Sequence, residues 1–246
     1  MPSRLDGQTI IVSGATRGIG EAIVRGIVAC GGNAVFGGRD ASSGESIAND
    51  LGSSACFMKF DATIEASWST IVQQANEQFG AINGLVNCAG VHYFSPFDGL
   101  DLDAINKVIA INQISFLIGI KHVVPALRSA GGGSIVNIGS VGATRGFAGL
   151  SVYCSTKAAV GAITRSAALE FAADRIRVNT VNPGPVATKM LDDAIGPDAL
   201  KVAAEKTPMG RAGQPDEIAW PVIFLLSGDS SFVTGASLAV DGGQAL

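Results

Sequence analysis

Cysteine is sparse in this chain and scattered. Cys30, Cys56, Cys88 and Cys154 form no C-x-x-C pair and no metal-ligand spacing, so no metal site is expected. At this chain length they read as small buried hydrophobes in a reducing compartment rather than as a disulfide framework. Charge is scarce as well: charged residues make up 15% and the net charge is −4, leaving no basic footprint for nucleic acid or an anionic membrane. The start, Met1 to Gly7, lacks the apolar run of a signal peptide. No stretch reaches the roughly 20 apolar residues that cross a bilayer. The most apolar helix candidate, around Val108 to Val124, is interrupted by Asn112, Gln113 and Lys121. The expectation is a cytoplasmic protein with neither nucleic acid nor membrane as partner. The 32 glycines follow no fixed period, which excludes collagen-like and low-complexity chains. What is plentiful is apolar side chain, 47% of 246 residues, enough to bury a sizeable core.

Short β-branched runs alternate with longer helical patterns. Strands are predicted at Thr9–Ser13, Asn33–Gly37, Cys56–Phe60, Gly84–Asn87, Ser134–Ile138, Arg177–Asn182 and Ser237–Val240. Their apolar residues run on without alternating, as strands covered on both faces require. Helices are predicted at Gly18–Cys30, Gly44–Leu51, Glu65–Phe79, Leu102–Leu127, Tyr153–Ala173 and Pro215–Leu226. That rhythm predicts an α/β fold: a Rossmann-type, doubly wound, seven-stranded parallel sheet with helices on both faces, in a single domain over 1–246. One irregular stretch, about 187–213, is long enough to be a substrate loop.

The first strand runs into Ser13-Gly14-Ala15-Thr16-Arg17-Gly18-Ile19-Gly20. A glycine at a strand exit permits a tight turn, and glycines opening the next helix let its N-terminus approach a pyrophosphate. Glycine turns also arise for steric reasons alone; the position between first strand and first helix is what points to a nucleotide. An acid at the end of the second strand would bind a ribose 2′-hydroxyl and repel a 2′-phosphate. Gly38 stands there, followed by Arg39, and Arg17 reaches the same region from the turn. Two guanidiniums suit a phosphate dianion, favouring NADP(H) over NAD(H). Asp40 is the competing signal, since a slip of two residues would place an acid at the ribose; Arg39 and Asp40 could also form a simple solvated pair.

Tyr153 and Lys157 stand four apart at the start of a predicted helix, hence on one face. A free tyrosine titrates near 10, and a neighbouring cation favours its phenolate, making a usable general acid/base. Ser140 follows a predicted strand at the sheet edge where such folds bind ligands. Its hydroxyl can donate to an oxygen that gains negative charge as hydride arrives.

Gly14-x-x-x-Gly18-x-Gly20, Asn87-Cys88-Ala89-Gly90, Asn112, Ser140, Tyr153-x-x-x-Lys157 and Pro183-Gly184, in this order and spacing, resemble the short-chain dehydrogenase/reductase family from Leu5 to Val240-Asp241-Gly242-Gly243. The resemblance is strongest to the branch of secondary-alcohol dehydrogenases, hydroxysteroid dehydrogenases and 3-oxoacyl carrier-protein reductases. It implies Tyr153 as proton donor or base, Lys157 holding the nicotinamide ribose and depressing the tyrosine pKa, and Ser140 orienting the substrate oxygen. Asn112 would keep a water behind Lys157. Thr16, Ile19 and Ala62 would join the glycine turn and Asp61 around the cofactor, with Asp61 at the adenine edge. Asn87, Ala89 and Gly90 would line the adenosine ribose, and Pro183, Gly184, Val186 and Thr188 the carboxamide end. Cys88 replaces the usual second asparagine of its motif, Ser13 stands where threonine is commoner, and Asn83 where aspartate often is; none removes a catalytic group.

The segments expected to face substrate, His92-Tyr93-Phe94, Val141 to Thr144, Phe147 and Met190-Leu191, are mostly apolar. They favour a small lipophilic ketone or alcohol, with His92 as a pocket-wall residue. No basic patch of the kind a carrier protein needs is evident in them. The resemblance implies a homotetramer, paired through the helices holding Asn112 and Tyr153 and through the C-terminal strand; Ala158, Ala159, Gly161 and Ala162 would allow close helix approach. Within the enzyme class the alternatives are an NAD(H)-dependent hydroxysteroid dehydrogenase and a 3-oxoacyl carrier-protein reductase. Outside it stands a non-catalytic nucleotide-binding sensor.

Overall fold

A computed structural model describes residues 4–196 and 198–246. Seven strands form one sheet, all parallel, in the order β3-β2-β1-β4-β5-β6-β7: β1 Thr9–Ser13, β2 Asn33–Gly38, β3 Ala55–Lys59, β4 Gly84–Asn87, β5 Gly133–Ile138, β6 Ile176–Pro183 and β7 Ser237–Val240. The expected Rossmann-type sheet is therefore present, and each predicted strand is found to within a residue or two. The chain winds outward from β1 to β3 and then crosses back to β4, which pairs with β1 on its other edge. That reversal leaves a crevice at the carboxyl ends of β1 and β4, where open α/β sheets bind ligands.

Continuous apolar runs become two half-cores because successive side chains of a strand point to opposite faces. Ile10 and Val12 of β1 pack with Phe36, Val136 and Val181 beneath α1 (Gly18–Ala29), α2 (Ala41–Leu51) and α9 (Pro215–Leu226). Ile11, between them, joins Val35, Leu85, Ile135 and Val178 beneath α3 (Glu65–Phe79), α5 (Ser115–Ser129) and α6 (Ser151–Phe171). Each fully buried Ile, Val or Leu contributes about 1.5–3 kcal/mol over an exposed one, so both faces hold their helices firmly.

The long helix expected over Leu102–Leu127 is divided. α4 (Leu102–Ile109) and α5 are joined by a π-turn at Ala110–Ile114, which carries Asn112. The whole stretch Leu102–Ser129 is long and apolar enough to cross a bilayer, but Val123, Val124 and Leu127 within it are buried against the sheet and α3. The stretch 187–213, expected as irregular, holds two short helices, α7 (Lys189–Ile195) and α8 (Ala199–Glu205); Pro197 lies outside the described residues. α2 begins three residues earlier than expected because Asp40 caps it, accepting from the Ser43 backbone N–H at 3.1 Å and its hydroxyl at 2.9 Å.

Candidate active site

A cavity of about 750 Å³ opens at the carboxyl ends of the central strands, and residues at or just past the ends of β1, β2, β4, β5 and β6 converge on it. At one end lies the glycine turn. Gly14 holds φ +70°, and a Cβ there would come within 2.5 Å of the Ala89 Cα, so only glycine lets the turn after β1 pass the end of β4. Arg17, in extended backbone ahead of α1, gives no side-chain cap, which leaves the first amides of that helix facing the cavity unpaired by a cap. Backbone donors at a helix N-terminus fit a pyrophosphate.

Arg17 and Arg39 both line this end, as do Thr16, Gly18, Ile19, Gly20, Asp61 and Ala62. Gly38 cannot give way to an acid without disturbance: a Cβ there would lie 2.6 Å from Thr16 Cγ2 and 3.0 Å from its Oγ1. Asp40 is occupied with capping α2, and its carboxyl sits below the usual range through the two Ser43 hydrogen bonds, with a smaller pull from Arg17. Arg39 and Asp40 form no ion pair among the described residues. Burial pushes the Asp61 carboxyl upward, yet the Thr63 amide (2.9 Å), the Thr63 hydroxyl (2.7 Å) and Arg39 together hold it below its ordinary value. Both Thr63 bonds fall on Oδ1, leaving Oδ2 free to accept. A dinucleotide therefore meets anion-binding amides, two guanidiniums and a carboxylate acceptor along one wall.

At the other end stand Ser140, Tyr153 and Lys157. The Ser140 hydroxyl accepts from the Gly142 amide at 3.0 Å, and its backbone N–H donates to Asn182 Oδ1 at 3.1 Å, so neither contact uses the hydroxyl proton, which is directed to the Tyr153 phenol and the cavity. Lys157 is 4% exposed; its Nζ donates to the Ile138 carbonyl at 2.9 Å and lies 5.5 Å from the Phe116 ring centre and 5.9 Å from that of Tyr153. Burial brings Lys157 down to about 8, with a smaller opposing effect from Cys88, whose thiol burial pushes up to about 12. The Tyr153 phenol is raised, not lowered: burial dominates and the Ser140 hydrogen bond only partly offsets it. The depression expected from Lys157 does not appear among the causes of this shift; its ammonium is bonded to the Ile138 carbonyl.

Two expected site residues are placed differently. Asn87 is fully buried and off the cavity, donating from Nδ2 to Asn137 Oδ1 at 2.9 Å. Asn112, also fully buried, clasps Val91: Oδ1 accepts from its N–H at 2.8 Å and Nδ2 donates to its carbonyl at 2.9 Å, with Thr156 Oγ1 at 3.3 Å. Its side-chain amide is thus engaged with protein, close to Lys157 beside Gly90. Ala89, Gly90, Pro183, Gly184, Val186 and Thr188 do line the cavity.

Of the expected substrate wall, His92, Val141, Phe147, Met190 and Leu191 are present. Tyr93 and Phe94 are not: the Tyr93 hydroxyl accepts from the Asp101 amide at 3.2 Å, and Phe94 is 67% exposed beside Gly149. Leu150, Val202, Ala203 and Gln244 complete the wall, joined by Lys107, Lys189 and Lys206. These three exposed lysines correct the expectation that no basic patch lies near the substrate end. Lys189 and Lys206 belong to the stretch 187–213, and the tertiary fold brings Lys107 and the C-terminal Gln244 to the same cavity. The Gln244 carbonyl is held by Arg145.

Comparison with known proteins agrees with this geometry. A family model described as enoyl-(acyl carrier protein) reductase matches residues 14–245. The 2,5-dichloro-2,5-cyclohexadiene-1,4-diol dehydrogenase LinX of Sphingobium indicum is 35% identical over 99% of this chain and 98% of its own length. The NADP-dependent (R)-specific alcohol dehydrogenase of Lentilactobacillus kefiri is 36% identical, with the same coverage of each chain. The crystal structure of 3-ketoacyl-(acyl-carrier-protein) reductase from Brucella melitensis complexed with NADH superposes with a TM-score of 0.93 at 28% identity, covering 98% of this chain and 99% of that one.

Proposed function

The chain belongs to the short-chain dehydrogenase/reductase family and is an oxidoreductase of CH–OH groups, and on that premise we propose that it interconverts a ketone and a secondary alcohol with NADP(H) as the preferred cofactor. The observation that carries this is one cavity with Arg17 and Arg39 at its nucleotide end and Ser140, Tyr153 and Lys157 at the other.

A bound nicotinamide supplies or accepts the hydride. The remaining work falls to this chain's own side chains. The Ser140 hydroxyl donates to the substrate oxygen and orients it toward Tyr153. In reduction Tyr153 transfers its phenolic proton to that oxygen as the carbonyl carbon becomes tetrahedral. A phenol held above its ordinary pKa is protonated at neutral pH, which suits this donor role. In oxidation the same phenol must lose its proton, and Lys157, cationic below about 8, is the nearby charge that favours the phenolate. Arg17 and Arg39, with an acid at Gly38 disfavoured by its close approach to Thr16, support the 2′-phosphate preference. The NADP dependence in the name of the Lentilactobacillus relative points the same way, and the NADH complex of the Brucella enzyme marks the alternative.

Val141, Phe147, Leu150, Met190 and Leu191 favour a compact lipophilic ketone or alcohol, and LinX, named for a ring diol, is consistent with a cyclic secondary alcohol. A second reading, 3-oxoacyl carrier-protein reduction, gains from Lys107, Lys189 and Lys206, which suit an anionic carrier. Exposed Ala158, Ala162 and Leu169 along α6, with Ile114 and Leu117 before and within α5, support pairing of these helices in a homotetramer. Four free cysteines fit a cytoplasmic setting.

The test is initial-rate oxidation of NADPH and of NADH against cyclic and aryl ketones, a steroid ketone and a 3-oxoacyl thioester. Faster turnover with NADPH and a cyclic ketone supports the proposal. Preference for NADH, or for the thioester alone, supports an alternative.

A further inference from the structure

His92 stands outside the chemistry described so far, yet it is the side chain laid against the proposed proton donor. Its imidazole stacks on the Tyr153 ring with centres 4.2 Å apart and planes inclined by 27°. Asn112 fixes it there, because the clasp on both the N–H and the carbonyl of Val91 pins the backbone immediately before it. The two ring nitrogens have different surroundings. Nδ1 is sealed from solvent and has no hydrogen-bond partner among the described residues. Nε2 is not sealed, and with His92 on the cavity wall it is the ring edge that meets the cavity.

A sealed N–H without an acceptor costs more than a sealed lone pair, so the accounting puts the lone pair on Nδ1 and the hydrogen on Nε2. Burial, with a smaller effect from Lys157, holds the ring below its ordinary pKa, so this neutral form persists at physiological pH. The stacked ring is therefore a fixed, uncharged donor beside the phenol.

We propose that His92 is a substrate-recognition residue whose Nε2–H donates to a second oxygen of the substrate, on the carbon next to the one that Tyr153 serves, so that the preferred substrate class is vicinal: an α-hydroxyketone or the matching diol. This rests on the ketone–alcohol reading above and adds to it which ketones are favoured. With ring centres 4.2 Å apart, stacking holds the imidazole and the phenol side by side, the arrangement that we assign to two oxygens on neighbouring carbons. A hydroxyl in the Val141, Phe147 and Leu150 wall would otherwise lose its hydrogen bonds to water on entry.

The experiment compares 2-hydroxycyclohexanone with cyclohexanone, reading the ratio of kcat/KM for the pair within each protein so that general losses cancel. Wild type should favour the hydroxyketone by about 3- to 10-fold, the worth of one neutral hydrogen bond. His92→Phe keeps the stacking but lacks the donor, and its ratio should fall to about 1. His92→Gln returns an N–H at similar reach and should recover part of the ratio; His92→Leu replaces the Phe variant if that one does not fold. Calorimetric titration of both ketones in the presence of NADP⁺ gives the same comparison as a ratio of dissociation constants without turnover. A wild-type ratio at or below 1, an unchanged ratio in His92→Phe, or no recovery in His92→Gln overturns the proposal. Failure of wild type to reduce either ketone, with a calorimetric ratio that still depends on His92, overturns the ketone-reduction reading and leaves the recognition role supported.

Discussion

Replacing Lys157 by Met should alter the pH response of stability in a defined direction. Lys157 is 4% exposed, and burial lowers its pKa from 10.5 to about 8 in the fold. Below about 8 both folded and unfolded chains carry the charge, and the full cost of burying it is present. Between about 8 and 10.5 the folded chain has released the proton while the unfolded chain retains it, so wild-type stability rises with pH across that window. At about 1.4 kcal/mol for each tenfold change in proton affinity, the gain is about 3 kcal/mol. The variant also loses the bond to the Ile138 carbonyl; the part of that loss that depends on charge is already contained in the folded-state pKa, and the rest is the same at every pH. Urea unfolding of both proteins, without cofactor, at pH 7 and pH 10.5 isolates the effect, since every other titrating group is common to the two. The difference in stability should move by about 3 kcal/mol toward wild type as pH rises. Movement below about 1 kcal/mol, or in the other direction, would refute a buried, depressed Lys157.

Two further outcomes follow from the same geometry. Arg39→Asp should lower the NADPH/NADH ratio of kcat/KM by at least about 10-fold, since it removes a guanidinium and adds a repelling acid at the proposed 2′-phosphate site; an unchanged ratio would mean that Arg39 does not reach that phosphate. Leu169, 85% exposed on α6, should lie in the proposed tetramer, so Leu169→Glu should yield a smaller species by light scattering, and an unchanged mass would remove α6 from the interface.

The sheet was legible because strands buried on both faces leave continuous apolar runs, and a strand such as Ile10-Ile11-Val12 feeds both half-cores at once. The break in Leu102–Leu127 was not, since a π-turn at Asn112 keeps helical spacing and composition on either side. Gly14, Arg17, Tyr153 and Lys157 could be read because local spacing carries their geometry. What sequence could not show was competition between local partners. Lys157 bonds its ammonium to Ile138, and burial decides the Tyr153 pKa; Asn112 clasps Val91; Asn87 turns to Asn137. Lys107 and Gln244 reach the cavity from distant parts of the chain, and no local pattern marks them, whereas Lys206 lies in the stretch read as a substrate loop. His92 could be read as a pocket-wall residue, but its stacking on Tyr153 is a tertiary fact.

The central claim is that Tyr153 delivers the proton in a cavity built for NADP(H). The measurement that bears on it most directly is single-turnover ketone reduction by NADPH in wild type and Tyr153→Phe, with NADPH affinity determined for both. Loss of at least about 1,000-fold in rate, with affinity within about threefold, is the predicted result, within the range that removing a positioned general acid costs. Turnover in Tyr153→Phe close to that of wild type would contradict the account.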